Sequence, residues 1–213
     1  MDNEAPLGGA DLSTVLPIIT TEHFNLQTVR SSTTSEAVGR ASMFLATVST
    51  ALVALSFAGQ VTDFGGSFAV FGAVTFLSLF FLGVVTFDRT LQVSIEDIQA
   101  AQRMNRLRRL YFEVAPGLAD YLAPPAASDE VGEVLRSGGM RVVRGQMLLT
   151  VAGMVSVVNS VILGVLVGTL VARLDSDLMW LAVASGGVVF AGSVAIHQRI
   201  QRVRRSRAEQ LVP

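Results

Sequence analysis

Met147–Ala172 reads MLLTVAGMVSVVNSVILGVLVGTLVA, a run without a single charged residue. At 1.5 Å of rise per residue, about 20 apolar residues cross roughly 30 Å of hydrocarbon. This stretch is longer than that, which implies tilt or an extension beyond the bilayer. Three other charge-free runs, Ala41–Gly59, Ser67–Phe87 and Leu178–Ile196, have the same character. The expected fold class is all-α: a four-transmembrane-helix bundle built as two hairpins, with a helical cytoplasmic extension.

The composition agrees. The chain has 213 residues, a net charge of −1, 51% hydrophobic and 15% charged residues, and a mean hydropathy of +0.54. Soluble domains carry about 25% charged residues, so much of the usual solvent-facing surface is missing. There is no cysteine, which excludes disulfides, thiolate metal sites and cysteine nucleophiles. All sixteen basic residues are arginine, a bias that suggests a high-GC bacterial genome and leaves no Schiff-base or P-loop lysine.

The arginines also orient the chain. Arg30 and Arg40 precede the first span, eight lie between Arg89 and Arg144, and five lie between Arg199 and Arg207. Only Arg173 falls in the short turns on the other side. The positive-inside rule then places both termini and the central loop in the cytoplasm of a bacterial inner membrane. Trp180, the one tryptophan, falls at the outer end of the fourth span, where an indole sits at headgroup level.

The expected organisation is a cytoplasmic arm over 1–40 with a short amphipathic helix, a first hairpin over 41–87, a cytoplasmic helical loop over 88–146, a second hairpin over 147–197 and an arginine-rich tail over 198–213. Thr33-Thr34-Ser35-Glu36 has the form of a capping box and reads as the start of the first spanning helix. Leu91, Ile95, Ile98, Ala101 and Met104 recur at helical spacing, so the second span continues as a helix to Val114. Pro116-Gly117 stops it and Pro124-Pro125 marks a second break. Ser128-Asp129-Glu130 then reads as a helix start, with Gly138-Gly139 as its end.

Inside the spans, small residues recur every four positions. Ser42, Ala46, Thr50, Ala54 and Ala58 form one stripe; Ala152, Ser156, Ser160, Gly164, Gly168 and Ala172 form another; Gly187, Ala191 and Ala195 form a third. Such faces let helix backbones approach closely in lipid, either within one bundle or between subunits. Three of them exceed what a minimal bundle needs, so a homo-oligomer is expected. Asn159 is the single strongly polar mid-span residue and reads as an interhelical hydrogen bond. No span holds Asp, Glu, His or Arg, which argues against proton-coupled transport.

The second feature is basic clustering. Arg103, Arg106, Arg108 and Arg109 lie on the cytoplasmic helix, and Arg202, Arg204 and Arg205 follow the last span. Anionic lipid headgroups, a cytoplasmic protein partner or the chain's own acidic run Asp129–Glu133 would each suit them. Nucleic acid is disfavoured, because only Tyr111 and Phe112 accompany the cluster. Asp63, Asp175 and Asp177 lie in the outer turns and could form an acidic vestibule. His23 reads as a surface residue and His197 as an interfacial cation at the end of the fourth span. No catalytic residue, metal ligand or cofactor site is expected.

With its helix-capped entry across Glu22–Gln60 and the Asp88–Tyr111 continuation of the second span, the chain resembles uncharacterised four-span integral membrane proteins of high-GC bacteria. Its order of N-terminal helix, two-span hairpin and cytoplasmic helix is also similar to the SLATT-type membrane effectors of bacterial defence systems. That resemblance implies oligomers that perturb a membrane on sensing a nucleotide signal. It covers the first half of the chain, carries no site residue across, and leaves the hairpin after Arg144 outside the shared layout. The expected function is a non-enzymatic, self-associating membrane protein whose arginine-rich helices contact lipid headgroups or a partner. The alternative is an oligomeric ion-conducting pore gated by the cytoplasmic region.

Overall fold

The computed structural model describes residues 11–137, 139, 146–174 and 179–210. Among them are five α-helices and no strand: α1 (Leu12–Val61), α2 (Gly66–Val114), α3 (Val131–Ser137), α4 (Val151–Leu174) and α5 (Met179–Gln210). Short 3-10 turns occupy Pro116–Asp120 and Gln146–Leu149. Four of the helices, α1, α2, α4 and α5, are long and apolar enough to cross a membrane. The all-α fold of two apolar hairpins with a helical extension is therefore the observed one. Arg141, Arg144, Asp175 and Asp177 lie outside the described residues.

Helix α1 begins well before the Thr33–Glu36 signal. Asp11 caps it, accepting from the Ser13 backbone N–H at 3.2 Å and the Ser13 hydroxyl at 2.6 Å, which holds the Asp11 carboxyl below its ordinary range. The capping-box reading of Thr33–Glu36 is thus corrected: those residues are helix interior. The Thr33 and Thr34 hydroxyls both donate back to the Arg30 carbonyl, so they follow the helix rather than open it. Helix α2 holds 49 residues, about 75 Å at helical rise, more than twice the roughly 30 Å of a bilayer core. It ends at Val114, before Pro116 as its sequence requires.

The chain divides into two compact units. A membrane unit comprises Glu36–Gln92 and Gly145–Ser206, and an extension unit comprises Met1–Ser35, Val93–Arg144 and Arg207–Pro213. In the membrane unit, α1 buries Ala41, Phe44, Val48 and Leu55, a 3–4 spacing that keeps one face inward. Helix α4 is the most enclosed, with 39% of its most apolar stretch buried, against 17% for α1 and α2 and 11% for α5. Its glycines explain the close packing on α5. A Cβ on Gly164 would lie 2.8 Å from the Gly186 carbonyl oxygen, and one on Gly168 would lie 3.1 Å from that of Ala182. Backbone meets backbone there, as small-residue faces permit in lipid.

The turn between α1 and α2 is tight. Asp63 and Phe64 adopt φ of 47° and 53°, a left-handed conformation costly for a bulky side chain such as phenylalanine. The Phe64 N–H donates to the Gly59 carbonyl at 3.0 Å, and the Phe64 ring lies where any Cβ on Gly59 would stand. The Arg173 guanidinium donates to the Phe64 carbonyl at 2.7 Å, tying the end of α4 to this turn.

In the extension unit, the segment before α3 is fastened to α2. Asn105 accepts from the Ala126 N–H at 2.8 Å, and Gln102 donates to the Asp129 carbonyl at 2.7 Å. Ser128 donates to Glu133 from both its N–H and its hydroxyl, the helix start its sequence announces. Ala101, Ala126 and Val134 form a small buried cluster beneath these bonds.

Candidate functional site

Polar side chains within the membrane unit are few, so each one carries information. Along α5, Ser193, His197 and Gln201 recur every four residues, and all three are buried. The Ser160 hydroxyl of α4 donates to the Ser193 hydroxyl at 2.8 Å. His197 Nδ1 lies 2.8 Å from the Ser193 carbonyl oxygen, a geometry that places the proton on Nδ1, and the Phe87 ring stands edge-on to the imidazole at 4.5 Å. His197 is therefore a buried residue of the bundle. Its four-residue spacing with Ser193 and Gln201 was the available signal.

Asn159 is completely buried, and neither its Oδ1 nor its Nδ2 has a hydrogen-bond partner among the described residues. The side chain sits against Gly83 of α2, where an added Cβ would meet Oδ1 at 2.1 Å and the Phe44 ring at 3.0 Å. Gly83 was not singled out from sequence, because its role is to leave room for a residue 76 positions away. Gln201 is likewise fully buried with both amide atoms unpartnered. Two unsatisfied amides in an apolar interior each carry a desolvation cost of about 1–3 kcal/mol.

At the ends of the apolar segments the charges pair. Glu36 accepts from Arg89 at 2.8 and 3.0 Å and from Arg40 at 2.8 Å. These bonds pull its carboxyl from an ordinary 4.5 down to about 2, Arg89 contributing most. Arg204 pairs with Asp88.

The arginine cluster of α2 is largely engaged by its own chain. Arg106 and Arg109 donate to Asp129 at 2.7 and 2.8 Å, and Arg108 donates to the Ala123 carbonyl at 2.9 Å. Burial pushes the Asp129 carboxyl up, but the bonds from Arg106, Arg109 and Asn105 outweigh it and leave the carboxyl below its ordinary range. Arg103, Arg202, Arg204 and Arg207 are exposed, and Arg205 is half-buried. His23 is half-buried rather than fully at the surface, with its ring 5.9 Å from that of Tyr111. Among the described residues no group of three His, Asp or Glu could hold a metal ion.

The small-residue stripes part company. Ala152, Ser156, Ser160 and Gly164 are buried and Gly168 is half-buried, whereas Ser42, Ala46, Thr50 and Ala54 are exposed and Ala58 half-buried. The third stripe also faces outward: Gly187, Ala191 and Ala195 are exposed, and α5 meets α4 through Ala182 and Gly186 instead.

Comparison of the chain with protein-family models, curated proteins and solved structures finds no match. Its class rests on the fold. Phe57, Val70, Phe81, Val183 and Val188 stand 65–73% exposed on the outside of apolar helices. Each such side chain left in water forfeits about 1.5–3 kcal/mol, which a hydrocarbon solvent returns. This is a multi-pass integral membrane protein.

Proposed function

We propose that the protein is a non-enzymatic, self-associating component of a bacterial inner membrane, with both termini cytoplasmic. The observation that carries self-association is the outward-facing stripe Ser42, Ala46, Thr50 and Ala54 on α1. Small side chains gain nothing against acyl tails, whereas a second helix packs closely on them. The α4 stripe is consumed inside the chain, which leaves the α1 stripe and the shorter α5 stripe Gly187, Ala191 and Ala195 facing outward, and the longer α1 stripe is the one assigned to a second copy. Arg103 and Arg202, exposed and with no acidic partner among the described residues, are the residues best suited to anionic headgroups or a cytoplasmic partner, at about 1 kcal/mol each near a membrane surface. Arg106 and Arg109 are committed to Asp129 and serve the extension unit first.

Native mass spectrometry from nanodiscs tests this reading. Wild-type protein is expected as an oligomer, and the double change Ala46→Leu with Ala54→Leu as a folded monomer. A wild-type monomer overturns the proposal. A closed ring that also conducts ions in liposomes would replace it with a pore, lined by the Ser42 and Thr50 hydroxyls.

A further inference from the structure

On the outward side of the α4–α5 contact lies an apolar groove of about 530 Å³, within the roughly 300–1,000 Å³ typical of small-ligand sites. Its α4 wall is Val161, Val165 and Thr169, and its α5 wall is Phe190, Gly187 and Val183. The only wall hydroxyl, that of Thr169, already donates to the Leu166 carbonyl, so the groove offers hydrocarbon alone. Both walls continue on the same helix faces into residues of another kind. Arg173 follows Thr169 by four positions, and Trp180 precedes Val183 by three; both are exposed. The arginine spends one donor on the Phe64 carbonyl, and a guanidinium has five.

We infer that this groove binds one membrane phospholipid, an acyl chain lying between α4 and α5 and the phosphate meeting Arg173. The chemistry matches along its length. The glycine floor, Gly164, Gly168 and Gly186, lets a linear chain lie close to both backbones, and Arg173 and Trp180 stand one turn beyond the wall residues Thr169 and Val183. One helical turn beyond the walls, a guanidinium would suit a phosphate oxygen pair and an indole N–H would supply a further donor.

The test uses the full-length chain in detergent micelles, titrated with phosphatidylglycerol brominated along its acyl chains. The signal is the fluorescence of Trp180, the only tryptophan. Quenching is expected to saturate at one lipid per chain. Gly187→Leu, whose Cβ enters open space, fills the groove without disturbing α4 and weakens binding about tenfold or more. Gly187→Ala leaves affinity unchanged, and Arg173→Gln weakens it about three- to tenfold. Quenching that never saturates, or that saturates equally in Gly187→Leu, overturns the proposal. So does a lipid-free wild-type oligomer that Gly187→Leu takes apart, because a second copy then fills the groove.

Discussion

Glu36 and Arg89, 53 residues apart, are joined by two parallel hydrogen bonds of 2.8 and 3.0 Å, a fork-to-fork pair that clasps α1 to α2. The carboxylate titrates at about 2 while it is paired and near 4.5 once released. Because the folded value is the lower one, the pair's contribution is fully present above pH 4.5 and fades as pH falls towards 2. The thermal midpoint of the wild type in micelles should drop between pH 5 and pH 3, and that of Glu36→Gln should drop less. Equal slopes for the two proteins would remove Glu36 from the account.

Gly83 makes room for Asn159. Gly83→Ala is expected to destabilise the bundle by about 1–3 kcal/mol, since the new methyl group meets the amide oxygen at 2.1 Å. Adding Asn159→Ala should restore most of the loss, a coupling that a double-mutant cycle in denaturant reads directly. Strictly additive effects would mean that the two residues do not share a space.

The glycines of the second hairpin should divide sharply. Gly164→Ala places a methyl group 2.8 Å from the Gly186 carbonyl and is expected to lower stability by about 1–3 kcal/mol. Gly192→Ala meets nothing within 4 Å and should be neutral, or stabilising by up to about 1 kcal/mol through helix propensity. Equal effects at the two positions would contradict the α4–α5 contact.

Asp129 gathers Arg106, Arg109 and Asn105. Asp129→Asn should speed amide exchange across Ala126–Ser137, while the apolar helices keep their protection. Unchanged exchange in that segment would show that the contacts through Gln102 and the Asn105–Ala126 bonds hold it alone.

Apolar length and breaker residues made most of the fold readable: the four spans, the run of α2 to Val114 and the stop at Pro116 all follow from them. Periodicity identifies which residues share a helix face but says nothing of what lies opposite. The stripes beginning at Ser42 and Ala152 therefore read alike, yet one faces outward and the other is core. The same limit hid Gly83, whose value depends on Asn159, and moved the α5 contact from Gly187 to Gly186, a single residue around the helix. Charge clusters are ambiguous for a related reason. Whether Arg106 seeks a partner or its own Asp129 depends on how the chain folds back at Pro124-Pro125.

The connection Thr62–Gly65 has a consequence for how the protein is made. Four residues leave α1 and α2 no slack, and the left-handed pair Asp63 and Phe64 is closed by local bonds, Phe64 N–H to the Gly59 carbonyl and Gly65 N–H to the Thr62 carbonyl. A translocon handling this chain can therefore take α1, the turn and α2 as one hairpin. Passing its tip through the bilayer exposes a single carboxylate, Asp63, to hydrocarbon, while passing either long arm would drag arginines across.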